Sequence, residues 1–382
     1  MEIDLAHDYL TQRGGAERVA LTIAERLPIS KIFTAVYNPT KTFSEFEDYK
    51  IVPSVLQRVP TFRADPRLAL PFLPAVWSRI ATDSDIVLAS SSGWAHAIRT
   101  KPEALKVVYC HNPARWIYQP DHYFARLPGW VRPIATSVTQ TLRKWDRRQA
   151  KTADVYIANS STVAKRVTEF YGIEPHVINP PVSIDPLGQQ DPDPTLEGKD
   201  YWLAVARARA YKNIDVLVEA VQRRKDERLV IVGSRVNGHD NMANVTWTGR
   251  VSDARLRWLY ANARALVSVS FEDFGLTPLE ANSFGTPALL LRAGGFLDSL
   301  DEGISGSWIE RPDPDAVTSA MRNFTTFDRE RVRRHADKFS ATSFVAQLQQ
   351  VIATYRPFGS PTTPLGSLVE GDDPPVVRQS AS

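Results

Sequence analysis

Short apolar runs recur along this chain, each followed by a longer stretch whose apolar positions return every three or four residues. In the first half, EIDLA, KIFTAVY, DIVLAS, LKVVYC and DVYIA are mostly apolar and read as short buried strands. Between them, GAERVALTIAERL and the stretch from about Trp130 to Lys151 carry helical spacing. Residues 180–200 are rich in proline and acid and have no period, which predicts a linker. The alternation then restarts with YWLAVA, NIDVLVEAVQRR, LVIVG, NVTWTG, DARLRWLYANA, ALVSVS, a helix at Pro278 and PALLL. Strands alternating with helices imply parallel sheets joined by right-handed crossovers. The pattern therefore predicts an α/β protein of two lobes facing each other across a cleft. Residues 359–382 hold too few apolar side chains to form a core, and disorder is expected there.

Composition narrows the function. A length of 382 residues suits two domains of ordinary size, and 43% hydrophobic with 23% charged residues describes a globular protein. The net charge of +3 is too small to argue for nucleic acid, and no aromatic-plus-basic RNA motif occurs. Cys110 is the single cysteine, so no intramolecular disulfide forms and a reducing compartment fits. MEIDLAHDYL carries acids where a secretory signal carries bases, and LALPFLPAVW (68–77) is short and broken by two prolines. A cytoplasmic location is the expectation.

The segment FEDFGLTPLEANSFGTP (271–287) sets Glu272 and Glu280 around a helix start. Thr277 fits an N-cap and Pro278 the first helical position, which places Glu272 at a strand's carboxyl end and Glu280 in the next helix's first turn. In an open parallel sheet ligands bind at that edge, and free N–H groups at a helix start favour phosphate. The same residues also make a capping box, worth about 1 kcal/mol with no ligand at all. From the residues alone both readings stand.

Three other loops carry chemistry. Gly14-Gly15-Ala16-Glu17 opens the first long helix, where paired glycines let backbone amides approach an anion; such pairs also simply turn a chain. The segment lacks the spacing of a dinucleotide fingerprint. Tyr109-Cys110-His111-Asn112-Pro113 ends a buried strand, and His111 there suits a sugar hydroxyl or a purely structural bond. Cys110 and His111 point to opposite faces, which argues against a nucleophilic dyad. Arg207 and Lys212 share one loop, where two cations clamp a diphosphate or form a solvated charge run. Gly294-Gly295 offers a second set of amides to phosphate. The histidines are scattered without metal-ligand spacing, so no metal site is expected. Asp83-Ser84-Asp85 precedes a strand and reads as a turn, and Asp313 reads as a helix start.

The ordered set GGAERV, YCHNPARW, LRKWDRRQAKTADVYIANS, INPPVS, Arg207 with Lys212, EDFGLTPLE and GTPALLLRAGG resembles the retaining GT-B glycosyltransferases of family four. It is most similar to bacterial mannosyltransferases that build O-antigen and other surface polysaccharides, and the resemblance covers about Met1 to Arg356. It implies two facing Rossmann-like domains: 1–182 for the acceptor, a linker at 183–200, and 201–340 for the nucleotide-sugar. It further implies that a helix at 341–356 crosses back to the first domain.

By this resemblance Arg207 and Lys212 clamp the diphosphate, Glu280 holds the ribose hydroxyls, and Glu272 contacts the transferred sugar. His111 lines the sugar site and Gly15 lies near the donor phosphates. Phe274, Gly275, Leu276 and Thr277 complete donor binding. The implied reaction is metal-independent, front-side transfer of a hexose to a lipid-linked saccharide or polysaccharide precursor. GDP-mannose is the first expected co-substrate and a UDP-hexose the second; no other cofactor is expected. Rival readings are a nucleotide-sugar epimerase on the same fold and a non-catalytic two-lobed sugar-binding protein.

Departures from the family pattern are VGSRV (232–236) in place of a glycine-rich turn, Asp298 in place of a glutamate, and Asn282-Ser283 in an otherwise alanine-rich helix. They leave the donor's base and sugar open. The basic, aromatic stretch from Trp130 to Lys151, with Arg143, Lys144, Arg147 and Arg148, suggests peripheral contact with the inner face of the plasma membrane.

Overall fold

Two parallel sheets organise the chain, each wound by the same rule. The computed structural model describes residues 1–119, 132–205, 212–233 and 242–355. Arg207, Trp130, residues 234–236 and the tail after residue 355 lie outside these. The first sheet comprises β1 (Ile3–His7), β2 (Ile29–Thr34), β3 (Ile51–Pro53), β4 (Ile86–Ser91), β5 (Leu105–Cys110), β6 (Val155–Ala158) and β7 (His176–Val177), in the order 3-2-1-4-5-6-7. The second comprises β8 (Trp202–Val205), β9 (Leu229–Val232), β10 (Val245–Gly249), β11 (Ala265–Ser268), β12 (Ala288–Leu291) and β13 (Gly306–Ile309). Its order is 10-9-8-11-12-13, the same doubly wound sequence.

Alternation within each strand explains why both faces are dry. In β5, Val107 and Tyr109 enter one buried cluster while Val108 and Cys110 enter the cluster across the sheet. In β8, Trp202 and Ala204 face one core and Leu203 the other. A strand buried on both faces has no polar side to show, hence the continuous apolar runs in the sequence.

Six helices position the site: α1 (Gly15–Arg26), α2 (Arg132–Ala150), α3 (Ser161–Tyr171), α4 (Ile214–Gln222), α5 (Leu276–Ser283) and α6 (Ala341–Tyr355). Helix α6 follows the second lobe in sequence, yet Phe344, Val345, Leu348 and Ile352 enter the first lobe's core beside Val19 and Ile23 of α1. The ring of Phe344 meets Tyr109 edge-on at 5.4 Å.

Residues 183–200 form no strand or helix, but they are pinned to the second lobe. Leu196 is buried in its core, and Arg255 pairs with Asp191 and Asp193. Helix α2 turns its aromatic side inward: Trp145 packs edge-on against Trp94 at 5.6 Å. Arg143 and Arg147 donate to the carbonyls of Ile117 and Phe170. Among the described residues no helix is long and apolar enough to cross a membrane.

Candidate active site

Each sheet reverses its winding beside its first strand, between β1 and β4 and between β8 and β11. Loops leaving such a switch point diverge and open a crevice beyond the strands' carboxyl ends. A carboxylate bridges each of these crevices. After β1, Asp8 Oδ1 accepts the N–H groups of Trp94 at 2.7 Å and Ala95 at 2.8 Å, and Oδ2 accepts from Ser92. Gly93 leaves room for this approach: a Cβ there would stand 3.2 Å from Asp8 Oδ1 and push it by a few tenths of an ångström.

Across the second switch point, Lys212 from the loop after β8 pairs with Glu272 from the loop after β11. Ser270 Oγ donates to the same Glu272 oxygen at 2.8 Å. Asn213 fixes the lysine's loop: its φ of 47° is left-handed, and its Nδ2 donates to the Val269 carbonyl at 2.9 Å. Asparagine enters that backbone region more readily than other residues with a Cβ.

Both crevices open on one cleft of about 880 Å³ between the sheets. Gly15, His111, Lys212, Glu272, Phe274, Gly275, Leu276, Thr277 and Glu280 all line it. Gly15 faces α5 directly, its Cβ position 3.4 Å from Leu276 Cδ1. His111 follows β5 and is buried; its Nε2 shares a 2.8 Å hydrogen bond with Ser90 Oγ, which lies 3.0 Å from His7 Nδ1. Burial, with His7 adding to it, pushes the His111 pKa down to about 3. Its ring is therefore neutral at pH 7, presenting one N–H and one lone pair.

The start of α5 differs from the sequence expectation. Gly275 is the N-cap, with φ of 90° and no side-chain cap bond, and Leu276 begins the helix. Thr277 and Pro278 are thus second and third helical residues, Glu280 lies beyond the first turn, and no capping box forms. The physical reason is packing: a Cβ on Gly275 would lie 2.5 Å from the buried Phe296 ring, so only glycine closes this corner. Released from capping, Glu280 Oε2 accepts the Tyr260 hydroxyl at 2.7 Å. Burial raises the Glu280 pKa; the Tyr260 bond and Arg18 act in the opposite sense.

Gly294-Gly295 also needs correction. The Gly295 N–H donates to the Glu272 carbonyl at 2.9 Å rather than facing a phosphate. A Cβ on Gly294 would stand 2.6 Å from that carbonyl oxygen, and one on Gly295 would overlap Phe274. The pair lets two backbones touch and so braces Glu272. Cys110 is buried, and desolvation raises its thiol pKa, which does not suit a nucleophile. Among the described residues no group of three His, Cys, Asp or Glu side chains is placed to hold a metal.

The chain matches the Glycosyltransferase Family 4 family over residues 13–186 and the Glycosyl transferases group 1 family over residues 189–339. Between them these matches span both lobes and the cleft. The chain is a glycosyltransferase with the GT-B fold. It is 24% identical to the human alpha-1,3/1,6-mannosyltransferase ALG2, over 89% of this chain and 92% of that protein. The D-inositol 3-phosphate glycosyltransferase 2 of Catenulispora acidiphila is 28% identical over 44% of this chain and 47% of its own length. Among solved structures, Anabaena Alr3699/HepE in complex with UDP aligns with a TM-score of 0.67 at 16% identity, over 93% of this chain and all of that one.

In this glycosyltransferase the two lobes are bonded to each other beside Glu272. Asp273 pairs with Arg115 and Arg166 of the first lobe, and Arg166 also donates to Asn112 Oδ1 at 2.7 Å. The Ser160 hydroxyl donates to the Asp273 carbonyl. Asp298, the departure from the family pattern, accepts the N–H and hydroxyl of Ser161, each at 2.9 Å. Sequence reasoning passed over Asp8, Ser90, Arg166, Asn213, Tyr260 and Asp273. A polar residue directly after a buried strand marks Asp8 as a candidate; nothing in the sequence pairs residue 166 with 273.

Proposed function

We propose that this glycosyltransferase is a retaining hexosyltransferase that moves mannose from GDP-mannose, ahead of a UDP-hexose, to a lipid-linked saccharide or polysaccharide precursor. The observation that carries the reading is the convergence of Lys212, Glu272 and Glu280 from one lobe with His111 from the other on a single cleft. Likeness to a mannosyltransferase along most of the chain supports mannose, while UDP bound to a neighbour of the same fold supports the second choice.

Each residue has a distinct task. Lys212, with Arg207, neutralises the diphosphate, and Glu280 accepts from the ribose hydroxyls. Glu272, braced by Ser270 and Gly295, accepts from the transferred sugar. Neutral His111 offers a hydrogen bond without adding repulsive positive charge near the anomeric carbon. The acceptor oxygen bonds to the anomeric carbon on the face from which the diphosphate leaves, the carbon–oxygen bond to phosphate breaks, and the acceptor proton passes to the departing diphosphate. The residues act by positioning and by charge compensation.

The test is transfer with purified protein and GDP-mannose, UDP-glucose or UDP-galactose. Lys212→Ala and Glu280→Ala are expected to lower turnover at least ~100-fold, about 2.7 kcal/mol in barrier, with the fold retained. Near-normal turnover in both variants would sink the assignment. An inverted anomeric configuration in the product refutes retention, and sugar conversion without acceptor favours an epimerase.

A further inference from the structure

The first lobe's sheet divides the cleft into two halves. On one side Gly15, Ala16 and Val19 of α1 line it, and the nucleotide proposed to lie on α5 belongs there, beside Leu276. On the other side Leu70, Leu73, Trp94 and Trp116 line it. The cores mark the same division. Val19 enters the cluster on the α1 face, whereas Leu73 and Trp94 enter the cluster across the sheet, against which Leu70 and Trp116 pack. At about 880 Å³ the cleft is near the upper end of the roughly 300–1,000 Å³ usual for small-molecule sites, which leaves room beside the donor.

Trp116 is the half-buried end of an aromatic series in that second half. It sits in the one-turn helix Arg115–Tyr118, which the pairing of Arg115 with Asp273 ties to the second lobe. Its ring meets Trp94 edge-on at 4.9 Å, and Trp94 meets Trp145 of α2 edge-on at 5.6 Å. An edge contact covers at most one face of a ring, so Trp94 holds Trp116 in place and leaves a broad face uncovered by it. Such a face is partially negative and attracts the C–H groups on the flat side of a pyranose. Unpaired polar atoms are a second, independent observation. Three buried residues lining the cleft hold a side-chain atom without a hydrogen-bond partner: Thr11 Oγ1, Trp94 Nε1 and Asn159 Oδ1. None of the three is charged, and buried groups of this kind are uncommon. Sugar hydroxyls both donate and accept and so suit the whole set, whereas an ionised phosphate only accepts and has nothing to give Asn159 Oδ1. The charges agree: Asp8 and Asp65 line the cleft as carboxylates, and Arg115 is committed to Asp273.

We propose that Trp116 is the platform on which the acceptor stacks, and that the residue seated there is an uncharged pyranose and not a phosphorylated polyol. This names the acceptor class and rests on the reading of the protein as a hexosyltransferase. It sets the chain apart from the D-inositol 3-phosphate glycosyltransferases to which part of it is similar. Any phosphate carried by the acceptor lies away from the ring on Trp116, beyond Asp8 and Asp65.

The experiment is saturation-transfer NMR on the full chain with GDP or UDP present. The probes are methyl α-mannoside, methyl β-galactoside, methyl N-acetyl-β-glucosaminide and D-inositol 3-phosphate. The expected result is saturation of the ring protons on one face of a methyl glycoside, and none of the inositol phosphate. Trp116→Leu keeps an apolar filler without a π face and should lose most of that signal; Trp116→Tyr should keep it. In transfer assays Trp116→Leu is expected to raise acceptor KM at least ~10-fold, and Trp116→Tyr to restore it. Donor KM and the thermal shift with nucleotide stay unchanged in both, which a general loss of structure would not allow. Absence of saturation in every neutral glycoside overturns the proposal, as does a signal that Trp116→Leu leaves intact. So does binding of D-inositol 3-phosphate in place of the glycosides. A glycoside seated on Trp116 without transfer from any donor would keep this subsite and refute the hexosyltransferase; transfer whose acceptor KM ignores Trp116→Leu would do the reverse.

Discussion

Asp273 Oδ1 of the second lobe lies 2.6 Å from Arg166 Nη1 of the first, one residue along the chain from Glu272. The carboxylate that holds the lobes together is thus covalently adjacent to the one assigned to the sugar. Each side chain is about one-fifth exposed, so the pair is largely sheltered from solvent and its loss leaves a poorly solvated charge behind. Its leverage is on the spacing of the lobes, because a small displacement of reacting groups costs rate steeply.

Asp273→Ala is therefore expected to lower kcat/KM roughly tenfold, about 1.4 kcal/mol, and to lower the melting temperature as well, because Arg115 and Arg166 both lose this carboxylate. Arg166→Ala should match it, and the double variant should be no worse than either alone. Small-angle scattering is expected to show a larger radius of gyration in each. Independent, additive losses would mean that the pair is not one device.

Removing the Tyr260 hydroxyl isolates the tuning of Glu280. That hydrogen bond lowers the Glu280 pKa against the stronger effect of burial. In Tyr260→Phe the pKa rises further, so more of the carboxyl is protonated at a given pH. The acid limb of the kcat/KM profile should move to higher pH, with donor KM raised on that limb. A superimposable pH profile would exclude Glu280 from donor binding.

His111 gives a pH dependence of stability. Its native pKa of about 3 lies below the unfolded value of 6.5. Above pH 6.5 neither state is protonated and the group contributes no slope. Between pH 6.5 and about 3 the unfolded chain takes up a proton that the native state refuses, so stability falls by about 1.4 kcal/mol per pH unit. Denaturant titrations of wild type and His111→Gln should diverge in slope only in that window. Parallel slopes would show a solvated, ordinary histidine.

Gly275→Ala combines a left-handed backbone with overlap on Phe296, which is fully buried and has nowhere to move. The expected cost is about 2 kcal/mol or more, with loss of donor binding because α5 cannot start at Leu276. Urea denaturation read beside nucleotide binding separates the two effects.

The sequence carried the fold well wherever strands are buried on both faces, because continuous apolar runs such as those of β4 and β5 admit few other readings. Three strands of the two large sheets escaped it: β3, β7 and β13 are sheet edges, short, and interrupted by Pro53, by His176, or by Gly306 and Ser307. Residues assigned to the site were legible because switch-point loops follow such strands directly. Local chemistry misled at Thr277, where a capping pattern was outweighed by the contact between Gly275 and Phe296, a residue distant in sequence. Glycine pairs are equally ambiguous: the letters at 294 and 295 do not distinguish a phosphate cradle from two backbones in contact. Bonds between the lobes, such as Arg166 with Asp273, depend on docking that no periodicity encodes.

Helix α6 has a consequence for synthesis. Its Phe344 and Leu348 fill the core of a lobe whose last strand ends at Val177, yet they are translated only after the second lobe. The lobe made first is finished last, and until then Tyr109 and the inner side of α1 lack their cover. During translation the nascent first half therefore exposes an apolar face that its own later sequence is destined to seal. A ribosome stalled before Ala341 should hold a sticky, chaperone-dependent intermediate, while the second lobe beside it can already close its own core.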